Sequence, residues 1–426
     1  MGRNILKAGS KSSIISNLGV WSFALFLFSG YFKGDPRLAI VQTHIDITVF
    51  LFGFSFLLFS YLGLINGFDF IIPKSFMRMS ILYIFLLVFL AGGIIQTKTI
   101  EYGFDKVIRF LFFTGWAYFG SVLLIRNSIS FRQFLWALLF IAIAMSIDAL
   151  FNYQSVINGG VMKAFGSDHI ALGRTCGLGL LTIIAFFLPT EKKLYIKGAL
   201  WVTAAMMLTA LLGSVSIGSI MAFALSILLF FILSIHGFPR IKIDRFISYF
   251  FVTTLFASLI ISMISLELIP QLAERAQEIL TMKDISSTSR LDIYQSAIDI
   301  WADSPILGVG TGQFLGEWRG PEMQAYPHNI ILELGAETGV FGVFTFLTMI
   351  AYAIYKGIVG LNTESGFVRI MIRYLLIACC FTLLNAMVSY DINGNRMLFT
   401  YLGLIASLSN LQKIMIDDRD LEHFIS

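Results

Sequence analysis

The feature that most constrains this chain is a succession of apolar runs, each long enough to cross a bilayer. A helix spanning ~30 Å of hydrocarbon needs roughly 20 apolar residues, and about twelve runs meet that measure. They lie near 14–32, 39–66, 76–96, 107–125, 130–150, 169–188, 195–212, 216–236, 247–269, 330–355, 367–389 and 396–412. Backbone groups in lipid must satisfy their own hydrogen bonds, so the expected fold is an all-α polytopic membrane protein. Composition agrees: 57% of residues are hydrophobic and only 13% are charged, about half the charge of a soluble domain. The 39–66 run is long enough to tilt or kink, and only "GSVS" separates the seventh run from the eighth. The first run follows Arg3, Lys7 and Lys11 and has no clean small-residue cleavage site after it. It is expected to stay as the first helix.

Basic residues gather in alternate loops, among them Lys74 and Arg78, Lys192, Lys193 and Lys197, and Arg369 and Arg373. This asymmetry predicts a multi-pass membrane protein with both termini cytoplasmic. The expected division is 1–269 with nine helices, 270–327 as a large helical loop on the trans side, 328–412 with helices ten to twelve, and 413–426 as a cytoplasmic tail. A structureless loop of that size would be unusual. Within it "STSRLDIYQSAIDIWADSP" puts Leu291, Tyr294, Ile298 and Trp301 on one helical stripe that Pro305 ends.

Several chemistries are absent. The net charge of +4 is spread between the spans, so no nucleic-acid partner is expected. Cys176, Cys379 and Cys380 fall in apolar runs and read as buried thiols. "GVGTGQF" has no strand before it and reads as a glycine-rich turn. There is no P-loop, no HExxH and no paired carboxylate on the trans side for a metal–nucleotide donor. No metal and no cofactor are expected, and an enzyme here would need an activated donor carried by lipid.

The polar residues can be placed by depth. Arg109 and Arg174 lie a turn or two inside the trans ends of their spans, while His169, Arg290, Arg319, His328 and Arg396 sit on trans loops or helix ends. An arginine in a span costs at least ~2.5 kcal/mol at the bilayer centre, so it normally faces a wet cavity or a bound anion. Taken singly, each also fits snorkelling or pairing with Asp105, Asp148 or Asp391. Together they suggest a site for a polyanion such as a lipid diphosphate. A helix from His328 to Tyr355 would rise ~42 Å. On it His328, Leu332, Gly335, Gly339 and Gly342 share a face, a groove for a helix or a lipid tail. Glu333 and Glu337 fall on a face read as solvated. For His328 two readings stand: a general base, or a polar residue at a helix start.

"RLDIYQSAIDIWADSPILGVGTGQF" followed by "PHNIILELGAETGVFG" resembles the core region of the O-antigen ligase family, which is shared with O-antigen polymerases and protein O-oligosaccharyltransferases. The carrying residues are Arg290, Trp301, Pro305, Gly308 and Gly310, then His328, Asn329, Gly339 and Gly342. The resemblance implies transfer of a glycan from undecaprenyl diphosphate to lipid A–core oligosaccharide on the periplasmic face, with inversion and without metal or ATP. It implies His328 as the base and Arg290 as the grip on the leaving diphosphate. Arg174, Arg109, Arg319 and Arg396, with Asn329, Gly339 and Gly342, are the further candidates for substrate contact. Where many relatives in that family carry an arginine, this chain has Ile217, so either Arg174 or Arg109 fills that role or the diphosphate is held differently. A polymerase using the same donor is the alternative. A lipid-linked glycan transporter is the alternative of another class, and would need repeat-related broken helices near the midplane.

Overall fold

The structure is a computed structural model that describes residues 2–66, 72–152, 161–235, 285–318 and 326–408. Among these residues there is no strand, and ten helices are long and apolar enough to cross a membrane. The protein is an all-α polytopic membrane protein. Its main helices are α1 (Gly2–Phe28), α2 (Ile47–Asn66), α3 (Lys74–Gly93), α4 (Ile100–Arg109), α5 (Gly115–Leu124), α6 (Ser128–Phe151) and α7 (His169–Thr182). They continue with α8 (Leu194–Gly213), α9 (Ile217–Ile235), α10 (Ile285–Asp303), α11 (Ile330–Thr363), α12 (Gly366–Ala386) and α13 (Arg396–Ala406). A π-helical turn at Phe110–Thr114 joins α4 to α5 in one span. The expected ninth span, 247–269, lies outside the described residues, as do Arg319 and the tail. Of the expected twelfth, the described part is α13 and the residues to 408.

The middle of the bundle is α7, 89% of whose span is buried. Its glycines explain this, because small residues let neighbouring helices approach closely. A methyl group at Gly177 would lie 2.7 Å from the Phe381 ring, and one at Gly179 would lie 2.8 Å from Ala142 Cβ and Met207 Sδ. Helices α6, α8, α9 and α12 surround it. The 39–66 run is broken: Ala39–Gln42 forms a short helix, and the Asp46 carboxylate then accepts from Thr48 N and Val49 N at the start of α2.

Helix α11 departs from expectation in two ways. It starts at Ile330 and runs well past Tyr355 to Thr363, and it is broken at Gly339, where φ is 64° and ψ −157°. The even helical spacing assumed from His328 to Gly342 therefore does not hold. Nor is the glycine face an open groove. Trp301 of α10 covers Gly335, the Ile306–Leu307 backbone fills the space at Gly339, and Thr338 lies against Gly342. Glu333 and Glu337 are likewise not solvated: both are fully buried and paired with Lys106.

Candidate active site

Two separated sequence motifs meet at the break in α11. After α10 the chain turns through Pro305 and three glycines with positive φ, Gly308, Gly310 and Gly312. This turn takes over the hydrogen bonds that α11 gives up. Val309 N donates to Ala336 O at 2.8 Å, Gly310 N to Glu337 O at 3.1 Å, and Val340 N to Pro305 O at 2.9 Å. At Gly310, where φ is 106°, a side chain would also strike the end of α3, with Gly93 O at 2.7 Å. Gln313 locks the far side of the turn, its Oε1 accepting from Thr97 Oγ1, Lys98 N and Thr99 N.

This staple fixes the head of α11. Asn329 caps the helix, its Oδ1 accepting from Ile331 N and Leu332 N at 3.0 and 3.1 Å. Its carbonyl oxygen is thus spent on the backbone. His328 precedes it in a left-handed conformation, φ 55°, with the Tyr326 ring edge-on at 4.7 Å. Burial, then the Arg290 guanidinium, hold the imidazole below its usual pKa, with Asp391 and Asp168 opposing the shift. At neutral pH it is an uncharged base. Burial pushes the Tyr326 hydroxyl up to about 12, so it stays protonated beside the imidazole.

Arg174 projects from α7 and is 6% exposed. Its Nη2 donates to Asn395 Oδ1 at 2.5 Å and its Nη1 to Ser389 Oγ at 3.5 Å, with the guanidinium 4.8 Å from the Tyr390 ring centre. The Tyr390 hydroxyl donates to Asp168 Oδ1 at 2.7 Å, and Asp168 also caps α7. Tyr31, Asp168, Tyr390 and Arg396 line a cavity of about 340 Å³. Arg396 lies over the Phe26 and Phe113 rings and donates to Ser29 Oγ at 3.3 Å. Among the described residues no carboxylate forms an ion pair with Arg174, Arg290 or Arg396. The partners of Arg174 and Arg396 are neutral amides, hydroxyls, carbonyls and rings, which leave their positive charge available to an anion.

Arg109 differs, because it pairs with Asp105 at 2.7 Å. The turn before Ile217 packs on α7 at Gly173, where a methyl group would lie 2.9 Å from Ser214 Oγ and Ser216 Cβ. Arg174, the next residue, therefore follows directly on the contact between α7 and the turn before Ile217. A second cavity of about 700 Å³ adjoins at Gly166. Arg37 crosses it, bonded to Asp35 and Asp148 at 2.8 and 2.7 Å.

Among the described residues, four that are not glycine have positive φ: Phe165, Val215, His328 and Tyr390. Phe165 lines the adjoining cavity, Val215 stands in the turn on Gly173, and the other two are in the site itself. Strain of this kind persists where the surroundings fix the chain, commonly at functional sites. Asp168, Tyr390 and Asn395 were not among the residues singled out from sequence. The available signal was "SYDINGNR", a polar island between two apolar runs.

The bundle of membrane-spanning helices, with a histidine and arginines that have no carboxylate ion pair among the described residues, agrees with the membrane glycosyltransferase-like enzyme that its sequence match indicates. Residues 202–347 match the family model described as O-antigen ligase, and this segment carries that family's domain. The match takes in Arg290, His328 and the whole staple, and leaves Arg174 and Arg396 outside it. It supports a function of the O-antigen ligase or polymerase type. A search of curated proteins finds no match.

Proposed function

We propose that this protein is an O-antigen ligase, moving a glycan from undecaprenyl diphosphate to lipid A–core oligosaccharide at the periplasmic face of the inner membrane. The observation that carries the reading is an uncharged, half-buried His328 together with arginines that form no ion pair with a carboxylate among the described residues. His328 takes the proton of the acceptor hydroxyl as that oxygen attacks the anomeric carbon. The bond from that carbon to the diphosphate oxygen breaks on the opposite side, so the configuration inverts. Arg290 grips the leaving diphosphate with two parallel N–H···O bonds, and its fork stabilises charge as it develops. Arg174 and Arg396 supply further positive charge. Asp391 and Asp168 favour the imidazolium once the proton has arrived. No step is assigned to a metal ion.

The test is the glycolipid profile of a deletion strain. Loss of a ligase leaves long glycans on undecaprenyl diphosphate and bare lipid A–core. Loss of a polymerase leaves lipid A–core carrying a single repeat unit, and would replace the ligase reading. Surface glycan of normal length and attachment would overturn both.

A further inference from the structure

The proposed transfer makes no use of three charged side chains buried inside the bundle. Lys106 of α4 is 0% exposed, and its Nζ lies 2.6 Å from both Glu333 Oε1 and Glu337 Oε2 of α11. Burying three charges is expensive, so a cluster of this kind is weak grounds for stability and calls for another account. Its bonds supply one. Glu333 Oε2 accepts from Ile392 N at 3.0 Å, and the Lys106 carbonyl accepts from Asn393 Nδ2 at 3.0 Å. Asn393 Oδ1 in turn accepts from Thr114 Oγ1 at 2.9 Å. The 391–395 turn is thus fastened to α4 twice, once through the ammonium and once through the backbone. That turn bears Asp391, whose charge acts on His328, and Asn395, which is bonded to Arg174. The main-chain carbonyl of Glu337 accepts from Gly310 N at 3.1 Å. It therefore holds the turn that follows α10, the helix of Arg290.

We infer that Lys106, Glu333 and Glu337 are positioning residues for glycan transfer: one buried ammonium sets three separate segments, bearing Arg290, His328 and the Arg174 partners, at their working distances. None of the three touches substrate. The inference rests on the transfer reading above, and a misplacement of ~1 Å at such a distance costs about a hundredfold in rate.

The experiment measures transfer from an undecaprenyl-diphosphate-linked glycan to purified lipid A–core in proteoliposomes, at saturating and limiting donor. Lys106→Met leaves two buried carboxylates without their cation and is liable to misfold. The deciding variant is therefore Lys106→Met/Glu333→Gln/Glu337→Gln, which keeps the shapes and removes every charge. We expect it to insert normally, to lose about a hundredfold in kcat and to change KM for the donor less than threefold. Wild-type kcat in that variant would overturn the inference, because the cluster would then only balance its own charge. Failure of the variant to insert would also overturn it, assigning the cluster to folding alone. Wild-type protein that transfers no glycan in the same vesicles would instead count against the proposed function.

Discussion

The staple at Gly339 makes a quantitative demand. A side chain there meets two obstacles, the backbone conformation (φ 64°, ψ −157°) and the Ile306 carbonyl, with Leu307 N a further 2.7 Å contact. Holding an L-residue in such a region costs ~1–3 kcal/mol. The colliding atoms are backbone, so no rotamer change relieves them, and the turn after α10 has to move. Moving it breaks the three bonds at 2.8, 2.9 and 3.1 Å that Val309, Val340 and Gly310 make, each with a net value of ~0.5–1.5 kcal/mol. The combined cost of Gly339→Ala is on the order of 5 kcal/mol. Gly92→Ala is the control, since nothing lies within 4 Å of a methyl group there. Hydrogen exchange in detergent should report the loss directly. The amides of Val309, Gly310 and Val340 should exchange roughly three orders of magnitude faster in Gly339→Ala, at ~1.4 kcal/mol per factor of ten. Transfer should fall with it, because Arg290 is carried by the displaced segment. Exchange and transfer equal to those of Gly92→Ala would refute the reasoning.

At the proposed reacting residues, Arg290→Lys should insert normally yet lose about a hundred- to a thousandfold in kcat, since lysine keeps the charge but not the fork. His328→Ala should still bind the undecaprenyl-diphosphate donor while transfer stops, and a wild-type rate there would return His328 to a helix-start residue. In pH profiles, the working base is neutral imidazole, so kcat/KM should fall as pH drops through a pKa below the usual value near 6.5. Asp391→Asn removes a charge that favours the imidazolium and should move that acid limb lower still; an upward move would contradict the assignment. For topology, Ile306→Cys, at a position 59% exposed, should react with an impermeant thiol reagent added from the periplasm, whereas Lys193→Cys should not. The reverse pattern would place the site on the wrong side of the membrane.

Much of the fold was legible because lipid enforces it: ten of the apolar runs correspond to helices of spanning length among the described residues. The weight of the small residues in α7 was also visible, as Gly173, Gly177 and Gly179 around Arg174. What sequence periodicity missed at Gly339 is a break inside an otherwise regular pattern. A spacing rule carries straight through a glycine whose φ it does not know. Glu333 and Glu337 precede the break, and what spacing could not show is that the face they share is packed on α4 and not solvated. Their true partner, Lys106, lies more than two hundred residues away, and one buried lysine inside "GFDKVIRF" looks no different from one that reaches to the interface. Arg109 illustrates the reverse. Its i,i+4 neighbour Asp105 was in plain view, and the local pairing holds.

The exchange of hydrogen bonds between the turn after α10 and the broken α11 resembles a short length of strand pairing, and pairing has a register. The amides of Val309 and Gly310 face the carbonyls of Ala336 and Glu337 in fixed order, with Gly310 also pressed on Gly93 of a third helix. One residue inserted or deleted within either motif would slide the ladder by a step and bring a side chain to the place where only glycine fits. Inside this protein the two motifs, though separate in the chain, therefore act as one word whose letters cannot be respaced.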